Sequence, residues 1–186
     1  NGITLLGDTL KFVAGPQTDY FRSPDGSVVN NSAVIFTEVD NTKPFTFTAK
    51  VQPEFTETGT YSAGVIYAYE NDTHCQKLCF EQDEYGDHRV VSVRTLGTSD
   101  DNNHQAITAP YVYMRLSSDG TTPASYFSED AKIWRMARLY KNDFPEKLLI
   151  GISSQSPKDN EHTCLFTEVS LTDKPVADFR KGNIAE

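Results

Sequence analysis

Apolar and polar residues alternate with a period of two along most of this chain, and no window carries a sustained apolar stripe at helical spacing. Nothing else in the sequence restricts the fold as strongly. In Phe45-Thr46-Phe47-Thr48-Ala49-Lys50-Val51-Gln52, residues Phe45, Phe47, Ala49 and Val51 face one way and Thr46, Thr48, Lys50 and Gln52 the other, as a half-buried strand requires. Further strands are predicted at Ile3 to Leu6, Leu10 to Val13, Ala33 to Val39, Tyr61 to Glu70, Gln76 to Gln82, Arg89 to Thr95, Tyr111 to Leu116, Ala124 to Phe127, Lys132 to Tyr140, Leu148 to Ser153 and Thr163 to Leu171.

So many short strands separated by turns imply a sandwich or barrel. The turns carry the residues they need: Pro24-Asp25-Gly26, Glu84-Tyr85-Gly86-Asp87 and Ser118-Asp119-Gly120 supply proline's fixed φ or the positive φ that glycine tolerates. The last of these predicts a hairpin. No repeat or linker divides the chain, so one domain is expected over residues 1–172, followed by a surface-hugging or loose tail, 173–186, where alternation stops and charge rises. A domain of this size buries roughly 70% of its unfolded surface, enough for a core without cross-links.

The net charge of −9 disfavours nucleic acid and anionic membranes, which reward Lys and Arg. No apolar run reaches the ~20 residues of a membrane span, and Asn1-Gly2-Ile3-Thr4 does not read as an export signal. Cys75, Cys79 and Cys164 are odd in number, which fits a reducing compartment better than a disulfide framework, and a cytoplasmic location is expected. Two glycosylation triplets, Asn30-Asn31-Ser32 and Asn71-Asp72-Thr73, pull weakly the other way.

The plainest hint of catalysis is Phe80-Glu81-Gln82-Asp83-Glu84, where Glu81 and Asp83 share a strand face. Retaining glycosidases need a second carboxyl about 5 Å from the first. Four or five residues after Glu81 stand Tyr85 and Gly86, and Glu84 points away unless a bulge intervenes. No catalytic residue is therefore assigned, and the alternative is an acidic strand end entering a solvated turn. His74, Cys75 and Cys79 suggest zinc only superficially, since Cys-x3-Cys on a strand separates the sulfurs by ~13 Å. His88, His104 and His162 are scattered, so neither a metal nor a cofactor is expected. Asp100-Asp101-Asn102-Asn103 reads as a solvated loop without a calcium-loop spacing. Arg94, Arg115 and Arg138 either line one sheet face or pair with carboxylates across it. Trp134, the only tryptophan, reads first as core and otherwise as a sugar-stacking platform on a concave surface.

The order of several segments is informative. Thr18-Asp19-Tyr20-Phe21-Arg22 is followed by Ala63-Gly64-Val65-Ile66-Tyr67, Lys77-Leu78-Cys79-Phe80-Glu81, Val91-Ser92-Val93-Arg94-Thr95 with Ser99-Asp100, and Tyr113-Met114-Arg115-Leu116. Tyr126-Phe127-Ser128-Glu129-Asp130, Trp134 and Gly151-Ile152-Ser153-Ser154-Gln155-Ser156-Pro157 complete the series. Together these resemble a domain-of-unknown-function family with a fungal member linked to regulation of enolase. The resemblance implies an all-β, two-sheet antiparallel jelly-roll sandwich of the concanavalin A-like lectin/glucanase type. It further implies a cytoplasmic, non-catalytic protein acting in carbohydrate metabolism through enolase or another metabolic protein, or else a carbohydrate-binding module using the concave sheet. The family's polar pattern falls on Asp19, Arg22, Glu81, Arg94, Ser99, Asp100 and Arg115. Two aromatic positions depart from it: Asp101 follows Ser99-Asp100, and Phe21 stands for a tryptophan.

Overall fold

The computed structural model describes residues 2–184. Asn1, Ala185 and Glu186, the outermost positions of the expected domain and tail, lie outside the described residues. Two antiparallel sheets form a jelly-roll sandwich. The larger has seven strands in the order β1 (Gly2–Leu6), β2 (Thr9–Ala14), β15 (His162–Thr172), β6 (Phe45–Pro53), β11 (Val112–Ser118), β12 (Pro123–Ser128), β13 (Arg135–Leu139). The smaller has six, in the order β10 (Thr98–Ala106), β9 (His88–Leu96), β8 (His74–Gln82), β7 (Ala63–Asn71), β14 (Lys147–Gln155), β5 (Val34–Asp40). A separate ribbon pairs β3 (Tyr20–Arg22) with β4 (Val28–Asn30).

The alternation of each strand decides what it buries. Phe47 and Val51 of β6, Met114 of β11 and Phe166 of β15 meet Ile66 of β7, Leu78 and Phe80 of β8 and Ile150 of β14 between the sheets. The approach is closest at Gly64, where a Cβ would collide with Cys164 Sγ and Val51 Cγ1. The predicted hairpin is present: β11 pairs with β12, and Gly120 takes φ +90° at the turn.

Four local expectations change. The polar face of β6 is not solvated, because Thr46 and Thr48 lie beneath the C-terminal segment. The strand expected from Tyr61 starts at Ala63, since Tyr61 adopts φ +65°. The strand expected from Lys132 is shortened to Arg135–Leu139: Asp130 Oδ1 accepts from Lys132 N (2.8 Å) and Ile133 N (2.9 Å), holding a turn that leaves Trp134 before the strand. Asp100 to Asn103, expected as a loop, is part of edge strand β10, with Asp101 opposite Val93 of β9. An edge strand has one ladder and an open flank, so polar residues are at home there.

The tail hugs the outer face of the seven-stranded sheet. Val176 is buried beside Tyr126 and Trp134, and Phe179 packs on the same cluster. Main-chain groups make most of the attachment: Thr46 Oγ1 donates to Lys174 O (2.6 Å), Val176 N to Ser117 Oγ (3.0 Å), Tyr126 Oη to Phe179 O (2.7 Å) and Arg115 Nη1 to Gly182 O (2.6 Å). No helix of the described residues is long and apolar enough to cross a membrane.

Candidate functional site

The even residues of β8 (Gln76, Leu78, Phe80) point between the sheets, so its odd residues Lys77, Cys79 and Glu81 point outward. Strand register extends this outer face sideways. Asp101, Val93, Lys77 and Tyr67 form one row across β10, β9, β8 and β7. Arg89, Glu81, Ala63 and Gln155 form another across β9, β8, β7 and β14. Tyr20 and Phe21 of the ribbon pack on the apolar part of the face, against Tyr67, Cys79, Val91 and Val93. Beside the ribbon a cleft of about 790 Å³ remains open, lined by Asp19, Phe21, Tyr61, Lys77, Glu81, Asp101 and Gln155 among others. That volume lies within the range of small-molecule sites.

Lys77 is buried, and its Nζ donates to Asp19 Oδ1 (2.7 Å) and Gln155 Oε1 (3.1 Å). Burial is the largest single influence and opposes its charge, but the groups around it, the Asp19 carboxylate first among them, together raise its pKa and hold the ammonium protonated. Glu81 differs. It is half-buried and its carboxyl makes no side-chain hydrogen bond or ion pair among the described residues. Burial pushes its pKa up to about 8; Lys77 pulls it back in part, while Asp19, Asp101 and Asp83 push it further. The cleft thus holds a paired cation and, among the described residues, an acid without a side-chain partner on the same strand face. Burial and the carboxylates of Glu84 and Glu81 raise the pKa of Tyr61 at the rim, which keeps its hydroxyl a donor.

Of the eight residues expected at the site, Asp19 and Glu81 line this cleft. Arg22 and Ser99 anchor the ribbon beside it: Arg22 N donates to Ser99 Oγ (3.0 Å), and Arg22 Nε to Gly97 O (2.9 Å). Asp100 is exposed at the sheet edge, where its carboxylate meets Arg138 at 3.6 Å. Arg94 lies on the opposite side of the sheet from Glu81, because it stands across from Gln76, an inward residue. There it binds Asp143 (2.7 and 2.5 Å) and stacks over Tyr140. Arg115 belongs to the other sheet altogether, donating to Thr48 and Gly182 with its guanidinium 3.6 Å over the Trp134 ring. Trp134 is therefore buried under Arg115 and the tail, and is no platform for a sugar. Arg138 reaches between the sheets to Ser92, so the three arginines share no common face.

Asp83, expected on the strand face of Glu81, sits past the end of β8 and closes the following turn. It accepts from Tyr85 N, Asp87 N and Arg89 Nε at 2.7–2.9 Å. Sequence reasoning missed Lys77, Tyr61 and Gln155. Lys77 carried a usable signal, being two alternations before Glu81 on the same face. Tyr61 and Gln155 carried none, because only the fold brings strand ends 94 residues apart together, Gln155 Nε2 donating to Tyr61 O.

Among solved structures, a functionally unknown protein from Saccharomyces cerevisiae is similar, with a TM-score of 0.83, 22% identity and coverage of 92% of this chain and 91% of that one. A GH43 protein from Bacillus licheniformis has a TM-score of 0.66 at 12% identity; the likeness takes in 92% of this chain but only 38% of that one. A polysaccharide lyase family 18 structure has a TM-score of 0.55 at 14% identity, covering 90% of this chain and 88% of that one. These likenesses are of fold. Comparison with curated proteins finds no match. The family model described as "Protein of unknown function (DUF1349)" matches residues 4–174, and the chain belongs to that family.

Proposed function

We propose that the cleft on the outer face of the six-stranded sheet binds a short saccharide without transforming it. The observation that carries this reading is Glu81: an acid with no hydrogen-bond or ion-pair partner among the described residues, on the wall of an open cleft, beside a lysine whose own bonds are already made. An unpaired polar group in a partly dry site is stabilised by a ligand that pairs it. Hydroxyls do so without bringing charge. Tyr61, Asn103, Asp101 and Gln155 offer further donors and acceptors, while Phe21, Val29, Val91, Val93 and Pro157 offer apolar surface. Sugars present this mixture, with hydroxyl rims around C–H faces. Solved neighbours of this fold include chains named as a GH43 protein and a polysaccharide lyase, and that likeness of fold supports the reading.

Hydrolysis is not proposed, because it calls for a second carboxyl about 5 Å away, or 6.5–9.5 Å for inversion. Beyond the end of the strand Asp83 is engaged with Arg89, and across the cleft Asp19 is engaged with Lys77. The test is calorimetric titration and thermal unfolding with xylohexaose, cellohexaose and mannohexaose. A binder at a hundredfold its Kd stabilises the fold by ~2.7 kcal/mol, and Gln155→Ala is expected to weaken it. Flat titrations and unchanged melting for all three sugars would overturn the reading. Control of enolase in the cytoplasm, which the resemblance implies, predicts instead a complex with purified enolase that forms without saccharide.

A further inference from the structure

We propose that Glu81 acts in this cleft as a neutral hydrogen-bond donor that selects an uncharged saccharide over a uronate and lets it go as the carboxyl ionises. This rests on the saccharide reading and goes beyond it, naming the ligand's charge class and what controls its release.

The charges around Glu81 come from every element packed about it. On its own strand are Lys77 and the buried thiol of Cys79. From β9 comes Arg89, opposite Glu81, engaged by Asp83 (2.6 Å) and also 3.8 Å from Asp87. From β10 comes Asp101, from the turn after β8 Asp83 and Glu84, and from the segment before β3 Asp19. Tyr61 precedes β7, and Lys158 follows β14. The cations nearest Glu81 are spoken for: Lys77 by Asp19, Arg89 by Asp83. Lys158 is exposed. What faces a ligand is a set of carboxylates with no free buried cation to receive another.

A uronate entering this cleft would meet the carboxylates of Asp101 and Glu84, with Lys77 already taken by Asp19 and only the solvated ammonium of Lys158 to offset them. A neutral sugar would meet a carboxylic acid able to donate through one oxygen and accept through the other. Burial supports the neutral form of Glu81, whose pKa reaches about 8. On ionisation the proton passes to bulk water and the donor is lost. A carboxylate still accepts, but beside Asp19 and Asp101 it carries the cost of a desolvated charge.

The experiment measures Kd for the same three neutral hexasaccharides, and for tetragalacturonate, at about pH 6 and about pH 9. Affinity for a neutral binder is expected to fall about tenfold between these values, because the protonated fraction of an acid titrating near 8 falls by that factor. Glu81→Gln, whose amide donates at every pH, is expected to flatten the profile, and Glu81→Leu to weaken binding at both. Tetragalacturonate is expected to bind at least tenfold more weakly than the neutral sugar at about pH 6. The 13C resonance of the Glu81 carboxyl provides a readout independent of affinity: its midpoint is expected to rise when the sugar is present. A neutral sugar that binds equally at both pH values, or a uronate that binds as well, overturns the inference and leaves the saccharide reading standing. Failure of every sugar at both pH values overturns that reading itself.

Discussion

His162 is 3% exposed, packs near the Phe55 ring, and its Nε2 finds no hydrogen-bond partner among the described residues. Burial lowers its pKa to about 4, with Asp159 opposing weakly. Between about pH 6.5 and about pH 4 the unfolded chain therefore takes up a proton that the folded chain refuses. Stability present above pH 6.5 is lost as pH falls through this window. Melting temperature is expected to decline across it, and His162→Phe to make the decline shallower; equal slopes in a pH series of thermal unfolding would contradict the assignment. Lys77 and Asp19 give a second expectation at this scale. Removing one member of a buried pair strands the other, which costs about 3–5 kcal/mol. Asp19→Asn is expected to destabilise by that order in urea unfolding, and adding Lys77→Met to recover much of the loss.

Among the elements, legibility followed periodicity. β6 alternates cleanly enough for its two faces to be told apart in the sequence, but β6, β8 and β9 all bury residues on both faces, so the fate of the polar side was not readable. β10 is not readable: Thr98 to Ala106 has no apolar residue before its last, and only the ladder to β9 identifies it as a strand. Tyr20–Arg22 and Val28–Asn30 are too short to show a period. Of the site, Asp19 and Glu81 were legible. Arg94 was misplaced by one face because an arginine inside a sandwich defies the usual alternation, and Asp143 with Tyr140 is what makes it possible. Arg115 was misplaced because parity within a strand cannot say which sheet the strand joins. The tail was read as surface-hugging or loose, and four side-chain to main-chain bonds with Val176 fasten it to the sheet. Deleting residues 174–186 uncovers Trp134 and leaves Arg115 without its carbonyl. A loss of about 3 kcal/mol is expected from one buried Val, a partly buried Phe and these bonds, measured by chemical unfolding.

At the scale of the molecule, an acidic chain of net charge −9 carries a cleft in which carboxylates outnumber ammonium groups, so local and global fields repel polyanions alike. The two sheets differ in how far apart in sequence their strands lie. β7 to β10 are successive antiparallel neighbours, finished by residue 106, whereas β2 joins its sheet through β15, the last strand. During synthesis on the ribosome, Phe12 can find no cover from β15 until residues 162–172 have emerged, while most of the cleft-bearing sheet can pair much sooner. The cleft-bearing layer is thus the elder of the two, and the first hairpin made is among the last pieces to be housed.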